Sequence, residues 1–194
     1  MIDARVVRTR AALHSAIIAL ASEKPVSSIT VSELADRTQI NRVTFYKHYT
    51  SVPEALAAAL RIDMEPAWAR LNAMLIDPSQ DPGAAYQDGL GGVLDQIEKR
   101  RALYMQSTGS EIEGTVLHLI ALQFTDSFRA YLAQRRRFPP PVPEVDTEIV
   151  AAFFAYGVAA AVTAWLRSGD PDRSRLMGTM IALAPDWWFP AHTA

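Results

Sequence analysis

Residues 29–61, ITVSELADRTQINRVTFYKHYTSVPEALAAALR, decide the fold of this chain. Thr30 and Glu33 have the spacing of a capping box, which predicts that a helix begins directly after Thr30. Asn41 is the next favourable N-cap, so the first helix is predicted to end shortly before it and a second, short helix to cover about residues 42–48. Two helices around such a tight turn form a helix-turn-helix.

The short second helix has two different faces. Phe45 and Tyr49 lie four residues apart and share a face with Ile40, so these side chains are expected to pack inward. The opposite face carries a basic and aromatic set: Arg42, Val43, Tyr46 and Lys47. Such a helix fits the major groove of DNA, although an aromatic-rich short helix is also a common part of a protein core.

Charge is distributed unevenly along the chain. Residues 1–61 carry eight Lys and Arg against five Asp and Glu, whereas residues 62–194 carry 11 against 16. A basic N-terminal segment followed by an acidic remainder indicates a protein that presents one end to phosphates.

The run from Ile29 to Leu56 resembles the DNA-binding domain of TetR-family transcriptional repressors. The matching segments are TVSELA (30–35), INRVTFYKHY (40–49) and EAL (54–56). The segment GVAAAVTAWL (157–166), followed by SGD, is also similar to the penultimate helix of some members. The resemblance covers about the first third of the chain closely.

This resemblance implies an all-α fold with two domains. The first is an N-terminal three-helix DNA-binding domain with the helix-turn-helix, at residues 1–50. The second is a larger C-terminal helical bundle for ligand binding and dimerisation, at residues 51–194.

The resemblance also implies roles for individual residues. Those expected to touch DNA phosphates are Thr30, Tyr46 and His48. Those expected at or near base edges are Asn41, Arg42, Val43 and Thr44, while Lys47 would support the contacts to the DNA backbone.

Two positions depart from the family pattern. Gln39 stands where the turn usually has glycine, so a left-handed backbone there would cost roughly 1 kcal/mol. Ser51 and Glu54 repeat the capping-box spacing and predict a third helix, with Pro53 tolerated in its first turn. Val52 stands where that helix usually has a phosphate-binding lysine, so we expect weaker DNA binding with a smaller salt dependence.

The first helix of the chain is predicted over residues 4–22. Four apolar side chains at helical spacing form its inner stripe: Val6, Leu13, Ile17 and Leu20. Arg5, Arg8 and Arg10 are either a basic arm that touches DNA or the solvated end of an amphipathic helix. His14 is expected at the surface or in packing.

The remainder is predicted to be helical, with breaks at segments rich in proline and glycine. Pro66 is expected to kink or split the helix that contains it. Further helices are expected over residues 84–106 and 111–136, and residues 138–143 form an extended proline-rich linker. The arginines at 135–137 are interpreted as a solvated helix end, where positive charge suits the helix dipole.

Ile149–Leu166 is an 18-residue segment without a charged side chain. That length is the lower limit for a membrane span, but the many small residues favour a helix packed within protein. A helix that is apolar all round must be covered on all sides, so a second copy of the chain is expected to bury it. The interpretation is a homodimer through this helix, with no membrane partner.

Composition argues against several other classes of protein. The chain has 194 residues, enough for a sizeable core, and no cysteine. Its four histidines are scattered, so neither a metal site nor a cofactor is indicated. Charged residues interrupt the N-terminal segment, which does not have the pattern of a signal peptide, and a cytoplasmic location is expected.

An effector pocket in the larger region is predicted from aromatic and polarisable side chains that suit a small organic ligand. The candidates are Trp68, Tyr86, Tyr104, Met105, His118, Phe124 and Phe128. Plain core packing at helical spacing is the alternative for each of them.

The sequence therefore predicts a transcriptional regulator, most simply a repressor, that binds a palindromic DNA operator and is released by a small apolar or aromatic ligand. Two other classes stay open: an interaction protein whose helix-turn-helix contacts a protein, and an enzyme built on a helical bundle. No Gly-rich phosphate loop and no Ser/His/Asp grouping supports catalysis, so no catalytic residue is assigned.

Overall fold

The computed structural model describes residues 4–77, 79, 82–106, 111–170 and 172–189; the side chains of residues 75, 76, 82–86, 106, 111–117 and 119 fall outside this description. Within these residues the fold is all-α, with nine α-helices, one 3₁₀ turn and no strand. The predicted fold class is confirmed.

The helices divide into two compact units, residues 1–65 with 100–116 and residues 66–99 with 117–194. This division is set by contacts and does not coincide with the predicted boundary after residue 50, which stays a prediction. The first unit holds α1 (Ala4–Glu23), α2 (Val31–Thr38), α3 (Arg42–Tyr46), the start of α4 (Val52–Ile76), and α6 (Arg101–Gln106). The second holds the rest of α4, α5 (Pro82–Lys99), most of α7 (Glu111–Arg135), α8 (Thr147–Ser168) and α9 (Ser174–Leu183).

The first unit is built on the apolar stripe of α1. Leu13, Ile17 and Leu20 are buried, as their spacing predicts, while Val6 is half-buried. Helix α1 packs against α2 and α6, and the 3₁₀ turn at Val26–Ser28 connects α1 to the strand-like entry into α2. The helix-turn-helix therefore packs, through α2, against a long helix whose inner face is buried.

In the second unit, α5 approaches α4 closely at one point. A Cβ added at Gly89 would lie 2.6 Å from Leu71 Cδ1 and 3.0 Å from Leu71 Cα. Leu71 itself is fully buried. Position 89 therefore requires glycine, because the two helices are too close for a Cβ there. The same contact fixes which side of α4 faces α5 at Leu71.

Of the two outcomes predicted at Pro66, a kink or a split, the split does not occur. Helix α4 runs through Pro66, because a helix of 25 residues tolerates one missing N–H donor and the Pro66 ring is exposed. The predicted helix over residues 84–106 is instead two helices, α5 and α6, that meet at Arg100. There the Arg100 guanidinium binds Asp63, with Nε–Oδ2 at 3.1 Å and Nη2–Oδ1 at 2.9 Å.

Arg135 also contradicts its predicted role. It is 1% exposed and not part of a solvated helix end, although its neighbours Arg136 and Arg137 are exposed. Its guanidinium donates hydrogen bonds at 2.5–3.2 Å to four backbone carbonyls, those of Phe138, Pro140, Trp188 and Phe189. Four converging carbonyls replace the water that would otherwise solvate the charge, and burial lowers the pKa of Arg135.

Candidate nucleic-acid interface

Helix α2 begins as the capping box predicts. The Thr30 hydroxyl accepts the backbone N–H of Glu33 at 3.2 Å. The Glu33 carboxylate accepts from Lys24 Nζ at 2.7 Å, and this bond, the Lys24 charge and the Thr30 backbone N–H hold the pKa of Glu33 below its ordinary value. The N-terminus of α2 is therefore fixed both by its own cap and by an ion pair.

The turn between α2 and α3 is a Schellman motif. The Ile40 N–H donates to Ala35 O at 3.0 Å, and the Gln39 N–H donates to Asp36 O at 3.3 Å. This closure requires a left-handed backbone after the helix, and Gln39 has φ 55° and ψ 34°. Gln39 is the only non-glycine residue with positive φ among the described residues, so the left-handed backbone considered from the sequence is present.

Helix α3 is capped by Asn41, as predicted. The Asn41 Oδ1 accepts the Thr44 backbone N–H at 2.7 Å and the Thr44 hydroxyl at 2.8 Å. The α-helix ends at Tyr46, two residues earlier than predicted, but helical hydrogen bonds continue through Tyr49 N–H to Phe45 O at 3.0 Å. The cap and the turn together hold a very short helix in one orientation.

The two predicted faces of α3 are present. Phe45 is fully buried and Tyr49 is 6% exposed, with their ring centroids 5.9 Å apart. On the opposite side Val43 is 65% exposed and Tyr46 58% exposed. Two cations, Arg42 and Lys47, are exposed on the same outer face. The other four predicted contact residues are exposed (Thr30, Asn41) or half-buried (Thr44, His48).

One hydrogen bond that holds the end of α3 could not be predicted from the sequence. His14 Nε2, on α1, lies 2.5 Å from the Tyr49 hydroxyl just beyond the end of α3. Burial, followed by the charges of Arg10 and Arg61, lowers the pKa of His14 and so favours the neutral imidazole, whose Nε2 can accept a hydrogen bond from the Tyr49 hydroxyl. The sequence does indicate that His14 faces inward, because it lies three residues before buried Ile17 and so on the same side of the helix.

Some cations of the first unit form ion pairs and others do not. Lys24 is paired with Glu33, and Arg37 is paired with Glu23 at 3.1 Å. By contrast, Arg42 and Lys47 take part in none of the ion pairs between described residues. Positive charge that is not already neutralised within the protein is therefore available at the outer face of α3, where it can attract an anion.

The start of α4 carries no cation. Val52 is 8% exposed, so a lysine there would place its charge in the core. The Glu54 carboxylate instead accepts from the Thr50 hydroxyl at 2.5 Å and the Thr50 backbone N–H at 2.7 Å, and these bonds hold the pKa of Glu54 below its ordinary value. This helix start therefore carries a carboxylate at Glu54 and an apolar side chain at Val52.

The structure brings together only part of the predicted effector pocket. Trp68 and Phe124 meet edge to face at 4.6 Å, and Phe124 stacks on Phe128 at 5.8 Å, all three buried in the second unit. His118 is exposed, with Nδ1 2.5 Å from the Tyr156 hydroxyl. Tyr104 and Met105 belong to the first unit, and the side chain of Tyr86 lies outside the described residues. Ligand contact stays a prediction for all seven.

Helix α8 has one buried and one exposed apolar face. Its buried residues are Ala151, Ala155, Val158, Ala159, Val162, Trp165 and Leu166. On the other side, Ile149 is 69% and Phe153 73% exposed, and Gly157, Ala160 and Ala164 continue the same exposed row. By length and composition α8 is the one described helix that could cross a membrane, a test that core helices of soluble proteins also pass.

Metal chemistry has no support in the described part of the chain. No group of three or more His, Cys, Asp and Glu side chains there is placed to hold a metal ion.

Solved structures of similar shape identify the class of fold. The TetR-family repressor AlkX of Dietzia sp. strain DQ12-45-1b superposes with a TM-score of 0.61 at 17% identity, covering 92% of this chain and 94% of AlkX. The complex of SmeT with triclosan superposes with a TM-score of 0.62 at 17% identity, covering 96% and 97%; SmeT is the repressor of the Stenotrophomonas maltophilia multidrug efflux pump SmeDEF. The chain therefore has the fold of TetR-family repressors.

Sequence comparison finds a partial match to one regulator with a helix-turn-helix. The chain is 41% identical over 61 residues to YxbF of Bacillus subtilis (strain 168), described as an uncharacterized HTH-type transcriptional regulator. The match covers 31% of this chain and 16% of that relative's length. No family model matches the chain.

Proposed function

We propose that the protein is a sequence-specific, DNA-binding transcriptional regulator of the TetR type, acting as a repressor. The observation that carries this proposal is the outer face of α3, where Arg42, Val43, Tyr46 and Lys47 are exposed on a helix whose other face is buried. A capped short helix with this surface can enter the major groove, where side chains at its start reach base edges.

The contacts divide by chemistry. Arg42 has the planar donor set that reads guanine, and Val43 offers an apolar contact for a thymine methyl group. Tyr46 and Lys47 follow one turn later, where a hydroxyl and an ammonium group suit phosphate oxygens. Thr30 at the start of α2 and His48 after α3 extend the phosphate contacts, while Asn41 and Thr44 lie beside the base-reading residues.

We further propose that the functional unit is a homodimer closed through the exposed face of α8. The exposed row of Ile149, Phe153 and small residues is apolar and allows a close approach of a second copy of the same helix. Two-fold symmetry would place two α3 helices about 34 Å apart, which matches successive major grooves of a palindromic operator. The same covering of α8 supports a soluble, cytoplasmic protein without a membrane partner.

Release from the operator is proposed to follow binding of a small, apolar or aromatic effector in the second unit. The region beyond the helix-turn-helix is larger than DNA binding requires, and SmeT, which has the same fold, is known in complex with triclosan. An effector that prefers the DNA-incompetent state by about 1–3 kcal/mol would weaken operator binding roughly 5–150-fold. Nothing in this proposal requires catalysis, and we assign the protein no enzymatic activity.

The test is DNA affinity of matched variants, measured by fluorescence anisotropy on the preferred duplex and on random duplex. Lys47→Ala is expected to weaken binding to both and to lower the salt slope by about one contact. Arg42→Ala is expected to lose about 1–3 kcal/mol on the preferred duplex and to relax specificity. Arg70→Ala, an exposed arginine of the second unit, is the control and should bind like wild type. Equal affinity of all three variants would overturn the proposed interface.

A further inference from the structure

Helix α4 buries two polar atoms that have no hydrogen-bond partner among the described residues. They are the donor Trp68 Nε1–H and the acceptor Asn72 Oδ1. Both residues belong to α4, and their spacing of four places them on one face of the helix, one turn apart. A buried donor and a buried acceptor therefore share one face of α4, and neither has a hydrogen-bond partner among the described residues.

Such a pair is unusual, because about nine in ten buried polar groups in folded proteins have a partner. It also cannot turn out to solvent by a rotation of α4. Leu71, next to Asn72, faces Gly89 of α5 at a distance that leaves no room for a Cβ. The face of α4 that carries Trp68 and Asn72 is fixed by this contact.

The Trp68 ring lies against aromatic side chains. The Trp68 ring meets Phe124 edge to face, with centroids 4.6 Å apart and planes at 87°, and Phe124 stacks on Phe128. Both phenylalanines are at most 1% exposed. A charged ligand group would lose its hydration against these rings, so a neutral group fits the pair better.

We propose that Trp68 and Asn72 bind the hydroxyl group of a neutral, mainly apolar ligand, a phenol or an alcohol. A hydroxyl oxygen accepts one hydrogen bond and its proton donates another, so a single group satisfies the Trp68 N–H and Asn72 Oδ1 together. The apolar body of the ligand packs against Phe124 and Phe128. This inference rests on the proposed function for its biological meaning, as the effector site of a regulator, but not for the binding itself.

The probes are three molecules of one shape: 4-propylphenol, which accepts and donates; 4-propylanisole, which only accepts; and propylbenzene, which does neither. Calorimetric titration of the full-length protein is expected to rank them in that order. Each lost hydrogen bond should weaken binding about tenfold. In Asn72→Leu the phenol and the anisole should bind alike, and in Trp68→Phe the anisole and propylbenzene should bind alike. Trp187→Phe, the same substitution at a half-buried tryptophan, should keep the wild-type order.

A second readout separates a ligand site from a structural role. Asn72→Leu removes an unpartnered buried acceptor at nearly constant volume, so the unliganded variant should melt no lower than wild type while losing the preference for the phenol. A lower melting temperature with an unchanged ranking would mean that Asn72 serves the fold alone and would overturn the proposal. Failure of 4-propylphenol to bind more tightly than propylbenzene to wild type would overturn it as well.

The calorimetry contains no DNA, so it is independent of the regulatory function. Wild-type protein that binds no operator but ranks the probes as expected would refute the proposed function and leave the site intact. Protein that binds its operator but does not discriminate between the probes would refute the site alone.

Discussion

Replacing Gln39 by glycine should stabilise the protein, because Gln39 alone among the described non-glycine residues has a left-handed backbone. Its φ of 55° and ψ of 34° are imposed by the two hydrogen bonds that close α2. A side chain in this region costs about 1–2 kcal/mol relative to glycine. Glycine also lowers the stability by about 0.4–1 kcal/mol, because it increases the conformational entropy of the unfolded chain. The midpoints of these two ranges, about 1.5 and about 0.7 kcal/mol, leave an expected net gain of about 0.8 kcal/mol for Gln39→Gly.

The measurement is equilibrium unfolding in urea together with calorimetric melting. The Gln39 side chain is exposed, so its removal leaves no cavity. A gain of this size raises the melting temperature of a chain of this length by roughly 1–4 °C, with an unchanged urea m-value. Gln39→Ala is the control, because alanine keeps the Cβ that causes the strain and should bring no gain. If the glycine variant were no more stable than the alanine variant, the strain at this turn would not exist as described.

Three further perturbations test other parts of the structure. His14→Phe should cost about 1–2 kcal/mol in urea unfolding, because the Tyr49 hydroxyl loses its partner, and Tyr49→Phe in the same chain should recover part of it. Folding lowers the pKa of His14, so the unfolded state binds more protons below its ordinary value of 6.5; stability should fall as pH drops from there, and His14→Phe should flatten that decline. Arg135→Met should cost about 3 kcal/mol, since four carbonyls lose their donor, whereas Arg137→Met on the surface should change stability by less than about 0.5 kcal/mol. Phe153→Asp should convert the proposed dimer to monomer in sedimentation equilibrium, and a monomeric wild type would contradict the dimer.

The helix-turn-helix could be predicted from sequence because its signals are local. Thr30 and Asn41 cap helices within four residues of themselves, and Phe45 and Tyr49 mark the buried face by spacing alone. Such signals need no knowledge of distant contacts. Once the buried face of α3 is known, the residues on its opposite face are predicted to be exposed.

The misses have a common cause in long-range packing. The Arg135 side chain is buried because the carbonyls of Trp188 and Phe189, more than fifty residues away, converge on it. No pattern around residues 135–137 reveals that partner, and charge alone favoured the solvated reading. The partner of His14 could not be predicted for the same reason, since Tyr49 lies 35 residues further along the chain.

The pocket was the least predictable part. The sequence predicts Trp68, Phe124 and Phe128 as pocket residues because aromatic side chains suit a small organic ligand, and the structure brings these three together. Asn72 could not be found in this way, because an asparagine in a helix is ordinarily exposed or paired. Only the three-dimensional structure shows that its oxygen is buried, on the helix face of Trp68, without a partner among the described residues.

The central claim, that α3 reads DNA, is tested most directly by selecting duplexes from a random pool with the purified protein and titrating the enriched duplex with salt. The account predicts a palindromic motif whose half-sites lie about one helical turn apart, bound with an affinity that falls steeply as salt rises and that survives excess random competitor. A pool that yields no motif after repeated selection, with weak and equal binding to every duplex, would contradict it.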